Sequence, residues 1–245
     1  MLLRYGFGVS AALAALMVMP PGGVAQTGTI QGTVRIEGTA PAPRLLKVTK
    51  NREFCGETIQ ARDVVIKDGR VAYAVVFVEG LEGEVPPQEF RLSNSGCSFD
   101  PPVLAAAVGG KLIIDNRDEV LHNTHLNLER NGRTRTVGNW ALSSQGSKVT
   151  ADRPLRRAGV IDVSCDAHSW MHAKILIFDH PYFAVSAESG AFEIEGVPPG
   201  TYTLKAWHEV LGEQELEVTV RPNAATTVEF TLAPAAATST AEGGR

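Results

Sequence analysis

The sequence predicts an all-β protein, and three observations carry that expectation. Short segments recur in which apolar residues alternate with polar ones or run uninterrupted, the two patterns of half-buried and fully buried strands. Gly, Pro, Asn or Asp bounds nearly every such segment, which is the chemistry tight turns need. Beyond the extreme N-terminus, no stretch carries a convincing helical period. Strands at this spacing favour a sandwich or barrel.

The chain opens MLLRYGFGVSAALAALMVMPPGGVAQ, with Arg4, a short apolar run from Phe7 to Met19, and small residues at Gly23 and Ala25. This pattern predicts an export signal over residues 1–25. The run falls short of the roughly 20 apolar residues of a spanning helix, and no later segment qualifies. A periplasmic or secreted protein is expected, with no transmembrane segment in the mature chain. TIQGTVRIEG (29–38) reads as the first strand, and KDGR (67–70) as a hairpin turn between DVVIKDG and VAYAVVFVEG. KLIIDN, GVIDVSC and KILIFD follow as strands, then AFEIEG, TYTLKAWHE, QELEVTV and TTVEFTL, punctuated by ESG (188–190) and VPPG (197–200). Residues 129–157 hold seven basic side chains against two acidic ones and little periodicity, so an irregular crossover or loop is expected there. The small, polar residues 235–245 are expected to be disordered.

Removal of the signal leaves 22 basic and 27 acidic side chains, a formal charge of −5. That balance argues against nucleic acid as a partner. The chain has three cysteines, an odd number for an exported protein in which disulfides persist. The simplest arithmetic pairs Cys55 with Cys97, both beside glycine, and leaves Cys165 free; the other pairings would consume Cys165.

Cys165 lies in SCDAHSWMHA, where Cys165, His168 and Met171 place a thiol, an imidazole and a thioether on one tight loop. An exposed free thiol in an oxidising compartment is readily lost, so its presence calls for a reason. Copper suits one thiolate, two imidazoles and a weak thioether. Zinc seldom recruits a thioether, and its closed sites hold more cysteines. The missing imidazole is best supplied by His122, in DNRDEVLHN. His125 is three residues further on and would face the other side of an extended strand. His172, directly after Met171, is expected to face solvent. Trp170 reads equally as a residue at the rim of the site or in the core, and His208 either supports the loop from behind or caps a strand.

At these residues the sequence resembles the cupredoxins, and among them the amicyanin-like members with a Cys-x-x-His-x-x-Met loop. The likeness extends to Asn116, Asp118, His122 and Asn123, similar to the segment that brings in the first histidine of such proteins. It implies a Greek-key cupredoxin β-sandwich over about residues 27–180, binding one type I copper through His122, Cys165, His168 and Met171. Asn123 and Trp170 would support those ligands, and His168 would be the partly exposed ligand through which an electron leaves. The loop departs from the usual pattern at Asp166-Ala167 and at Ser169-Trp170.

A second resemblance covers residues 181–234, where SGAFEIEGVPPGTYTLKAWHE looks like the later strands of a carboxypeptidase-regulatory-like, or transthyretin-like, β-sandwich. The segment is too short for a full sandwich, and the strand at 28–38 is expected to complete it. The combination resembles exported proteins labelled as methylamine-utilisation proteins. That label establishes no activity; the one-electron chemistry of the copper ligand set points to an electron carrier between periplasmic redox partners, a cytochrome or a dehydrogenase, and not to an enzyme. Copper storage or delivery, and a secreted binding module without redox chemistry, are the alternatives.

Overall fold

A computed structural model describes residues 26–130, 132–151 and 153–233; the expected signal at 1–25 and the expected disordered tail at 235–245 lie outside them. In chain order the strands are β1 (Gly28–Ile36), β2 (Leu45–Lys47), β3 (Thr58–Gln60), β4 (Ile66–Lys67), β5 (Arg70–Val71), β6 (Val75–Val78) and β7 (Glu89–Ser95). Next come β8 (Ser98–Asp100), β9 (Val103–Ala107), β10 (Lys111–Asn116), β11 (His122–Arg130), β12 (Arg133–Leu142) and β13 (Lys148–Ala151). The last are β14 (Gly159–Ser164), β15 (His172–Phe178), β16 (Phe183–Val185), β17 (Ala191–Val197), β18 (Gly200–His208), β19 (Gly212–Val220) and β20 (Ala225–Leu232). The only α-helix among the described residues is the single turn Arg52–Cys55 (α1), so the all-β class read from the sequence holds. No helix among those residues is long and apolar enough to cross a membrane.

The strands build two sandwiches. In the first, the sheet β13-β10-β7-β8 faces the sheet β12-β11-β14-β15-β9. The parallel pairs β7 with β10 and β9 with β15 arise because the chain crosses to the other sheet before returning beside its earlier strand. Leu92, Phe99, Leu112, Ile114, Leu126, Ile161 and Ile175 fill the space between them, each fully or almost fully buried. In the second, β16-β6-β18-β19 faces a sheet centred on β1, which pairs with β20 in parallel and with β17 in antiparallel register. Its core is a separate cluster that includes Ile30, Val34, Val76, Phe192, Ile194, Leu204 and Phe230. A smaller cluster, with Val75, Val103, Ala105 and Leu176 at its centre and Phe77, Phe178 and Trp207 against it, joins the two sandwiches.

These pairings redraw the boundaries expected from the sequence. Strand β1 completes the second sandwich, as expected for residues 28–38, and β6, expected within the 27–180 domain, joins it too, hydrogen-bonded to β16 and β18. Residues 28–36 and 66–78 therefore belong with the C-terminal strands and not with a continuous 27–180 domain. Hydrogen-bond partners, which the local pattern does not encode, decide that placement. Gly32 marks the closeness of β20, since a Cβ there would stand 2.1 Å from the Val228 carbonyl oxygen. The KDGR turn is a tight hairpin with Asp68 and Gly69 at φ 52° and 72°, the paired positive dihedrals such turns need.

The expected loop at 129–157 is a correction. It contains the ten-residue strand β12 and the shorter β13. Strand β12 is the edge of its sheet, paired only with β11, and most of its side chains are exposed. An edge strand washed by solvent needs no apolar alternation, and its charges discourage pairing with other chains.

Candidate metal centre

Strand pairing brings two distant segments to one end of the first sandwich. Strand β14 is the shared neighbour, opposite β11 at His125↔Ser164 and opposite β15 at Ser164↔His172. His122, the first residue of β11, thus lies beside the 165–171 loop that links β14 to β15. Two successive turns wind that loop: the His168 N–H donates to the Cys165 carbonyl at 3.2 Å, and the Met171 N–H donates to the His168 carbonyl at 3.0 Å. Asn116 shapes the approach to His122. Its amide donates to the carbonyls of Val120 (2.8 Å) and Leu142 (3.0 Å), and its oxygen accepts the Asp118 N–H (2.9 Å).

His122, Cys165 and His168 are buried, and their donor atoms all lie within 4.8 Å of one another. The two Nδ1 atoms are 3.0 Å apart, and the Cys165 Sγ is 3.7 Å from Nδ1 of His168. Met171 is 2% exposed and packs in the same apolar cluster as Cys165 and Trp170. Each ring's outer nitrogen faces an acceptor: Nε2 of His122 meets Asp118 Oδ2 at 2.9 Å, and Nε2 of His168 meets Asn51 Oδ1 at 2.8 Å. Those acceptors hold the proton on Nε2 in both rings and leave two Nδ1 lone pairs aimed at one buried point beside a sulfur. Burial lowers His122 against the opposing pull of Asp118. Burial, reinforced by His122 and Lys50, lowers His168 to about 4. Both imidazoles are neutral near pH 7, as ligation requires.

Two lone pairs aimed at one point repel, and a cation bound by both removes the repulsion. Metal–nitrogen and metal–sulfur bonds of about 2.0–2.3 Å suit donors at this spacing. One thiol, two imidazoles and a buried methionine match the donor preference of copper. A second grouping, Cys97, Asp118 and His122, is also within 4.8 Å, but Cys97 is bonded to Cys55 and offers no thiolate. The carboxylate behind His122 makes a carboxylate–histidine pair of the kind that orients metal-binding rings.

The surroundings of the sulfur are polar and ordered. The Asn123 N–H points at the Cys165 Sγ from 3.5 Å, and the Asn123 side-chain oxygen accepts the Ala167 N–H at 3.2 Å. The Asn123 amide donates to Asn139 (2.8 Å) and to Asp166 Oδ2 (2.9 Å). Asp166 also accepts from Asn139 and meets Nδ1 of His125 at 3.0 Å. Those bonds, His125 first and Asn139 next, hold the Asp166 carboxyl below the usual carboxylate range. The negative charge next to Cys165 is therefore tied into a network on the outer face, where His125 points away from His122.

One expectation changes, and two open ones are decided. His168 is 0% exposed, not partly exposed, because a cover made of β2, α1 and β3 lies over it. Trp170 is not at the rim: it is 7% exposed, its indole N–H donates to the Cys97 carbonyl at 3.1 Å, and its ring lies 4.9 Å from that of His168. His208 caps a turn, its Nδ1 accepting from the N–H groups of Val210 (3.2 Å) and Leu211 (3.3 Å). His172 is exposed, with Nε2 3.0 Å from the Ser169 carbonyl oxygen. Cys55 and Cys97 form a disulfide and Cys165 is free. The sequence reading missed Asn51 as a partner of His168; it lies 117 residues upstream, in a segment with no recognisable pattern. The role of Asp118 had a signal, since it stands four residues before His122.

The carboxypeptidase regulatory-like domain family matches residues 168–233. That span starts in the 165–171 loop and includes β15 of the first sandwich before it reaches the second. None of the curated proteins compared with the chain matches it. Among solved structures, a reduced amicyanin variant is 18% identical, with 37% of this chain and 82% of that one covered at a TM-score of 0.31. A purple cupredoxin from Nitrosopumilus maritimus is 21% identical, with 36% and 98% covered at 0.30. Auracyanin A, a "blue" copper protein from Chloroflexus aurantiacus, is 15% identical, with 38% and 100% covered at 0.31.

Proposed function

We propose that this chain is an exported type I copper protein that passes single electrons between periplasmic redox partners. The observation that carries the reading is the convergence of His122 Nδ1, His168 Nδ1 and Cys165 Sγ on one buried point, with both outer imidazole nitrogens already engaged. A copper ion bound there supplies one-electron chemistry, with Cys165 as the strong ligand and Met171 as the weak one. His122 is fixed by Asp118, and His168 by Asn51 and Trp170, so neither ring has to reorient when the charge at the site changes. Asn123 directs its N–H at the sulfur and braces the loop through Ala167 and Asp166. The route outward from His168 runs through its hydrogen bond to Asn51, beside a cleft lined by Lys50, Phe54 and Val120. Exposed Phe54 and Leu121 offer an apolar contact for a cytochrome or a dehydrogenase. Substrate oxidation, which would need an open coordination position or a second metal centre, is not part of the reading.

Retention and delivery of copper is a second reading, favoured by the burial of His168 beneath the cover. Copper loading of the purified mature protein tests both. Electron transfer predicts one copper per chain, an intense visible band from the cupric–thiolate bond, reversible bleaching on reduction, and loss of that band in Cys165→Ser with the fold retained. Saturation with cupric ion without colour would end the first reading. Copper held only as Cu(I), and surrendered to an acceptor, would establish the second.

A further inference from the structure

We infer that the cover over His168 is a gate for the metal ion, that Asn51 is the positioning residue that holds it shut, and that the Cys55–Cys97 disulfide is its latch. This rests on the copper reading above and adds how the ion is kept.

The cover is a self-contained unit. Strands β2 and β3 pair only with each other among the described residues. Further hydrogen bonds from Val48 N–H to the Glu57 carbonyl (3.0 Å) and from Ala61 N–H to the Arg44 carbonyl (2.8 Å) also close within it. It can therefore lift without breaking a ladder of either sandwich. Over the site it is tied to the body by the packing of Leu46, Val48 and Ile59, one disulfide and one hydrogen bond to His168, while Arg62, bonded to Asp100 and the Phe99 carbonyl, anchors its C-terminal base as the point about which it would swing.

Asn51 explains that last bond. It occupies the N-cap of α1, where an asparagine ordinarily turns its oxygen back on the helix's own N–H groups. Here it makes no side-chain cap bond, and its oxygen accepts from His168 Nε2 at 2.8 Å instead. Its backbone is left-handed, φ 52° and ψ 38°, a conformation asparagine tolerates and most residues do not. The latch is anchored in the ligand scaffold, because the Cys97 N–H donates to Asp118 and its carbonyl accepts from Trp170. An ion on three donors that are at most 3% exposed leaves only if the cover moves. An oxidising compartment keeps the disulfide formed and the gate closed.

The test uses the full mature chain loaded with Cu(I) and challenged with excess bathocuproine disulfonate, with release followed by absorbance of the chelate. Asn51→Gly tolerates the left-handed backbone and removes the side chain that carries the acceptor; it is expected to release copper about tenfold faster. Asn51→Asp restores an acceptor and should release no faster than the parent. Cys55→Ser/Cys97→Ser should also release faster; if that variant does not fold, the Asn51 pair decides. On the metal-free protein, diethyl pyrocarbonate followed by mass spectrometry should leave His168 unmodified in the parent and modify it in Asn51→Gly. Equal release and equal modification in the parent and Asn51→Gly would overturn the gate while the copper reading stands. Failure of the parent itself to retain copper would remove both.

Discussion

Asp118→Asn isolates the group behind His122. The Asp118 carboxylate is 4% exposed and serves three donors: Gly96 N–H at 2.7 Å on Oδ1, and Cys97 N–H at 2.8 Å and His122 Nε2 at 2.9 Å on Oδ2. An amide has one acceptor and one donor end, so either orientation turns an NH2 group on at least one N–H. The less damaging orientation orphans Gly96, at a cost of about 1–3 kcal/mol for an unsatisfied buried donor. The bond to His122 also loses its charge assistance, and bonds to charged groups exceed neutral ones by about 1 kcal/mol. Without the carboxylate, burial lowers His122 unopposed. The metal-free protein should lose about 2–4 kcal/mol by urea denaturation. Copper affinity, measured by chelator competition on the folded fraction, should fall about 10–100-fold, as outer partners of metal-binding histidines generally do. Affinity within about twofold of the parent in a folded Asp118→Asn protein would refute the claim that Asp118 orients His122 for ligation.

Burial lowers His208 from 6.5 to about 4. Between those values the unfolded chain binds the proton and the folded chain does not, so this contribution is complete above about pH 6.5 and is lost as pH falls toward 4. Going from pH 7 to 4.5, the parent should lose on the order of 2–3 kcal/mol through this residue. In His208→Asn, whose oxygen can still accept from Val210 and Leu211, the fall in urea midpoint should be smaller; an equal fall in both proteins would contradict the assignment. Gly32→Ala tests the junction of the second sandwich, where the added methyl would meet the Val228 carbonyl at 2.1 Å and the Phe192 ring at 3.0 Å. Overpacking of this kind costs about 1–3 kcal/mol, so the melting temperature should drop by about 3–10 °C with copper stoichiometry unchanged; an unchanged melting temperature would show that β20 yields freely.

The sequence by itself determined the β class and the crowding of donors between Cys165 and Met171, and it offered Cys55–Cys97 as the simplest of three pairings, which the structure settled. Each rests on local information: alternation along a strand, spacing on a loop, and the arithmetic of three thiols. It also pointed to His122 over His125, because odd spacing in an extended strand separates faces. The tertiary structure decided what depends on which strands lie side by side. Strand β1 reads the same whether it opens the first sandwich or completes the second, and only its hydrogen bonds to β17 and β20 place it. Strand β12 was hidden because an edge exposed to water imposes no apolar pattern. Trp170 reads equally as a rim or a core residue until its indole finds the Cys97 carbonyl. The exposure of His168 was set by Asn51, whose oxygen reaches the ring across 117 residues of chain, a contact created by folding and not by any local signal.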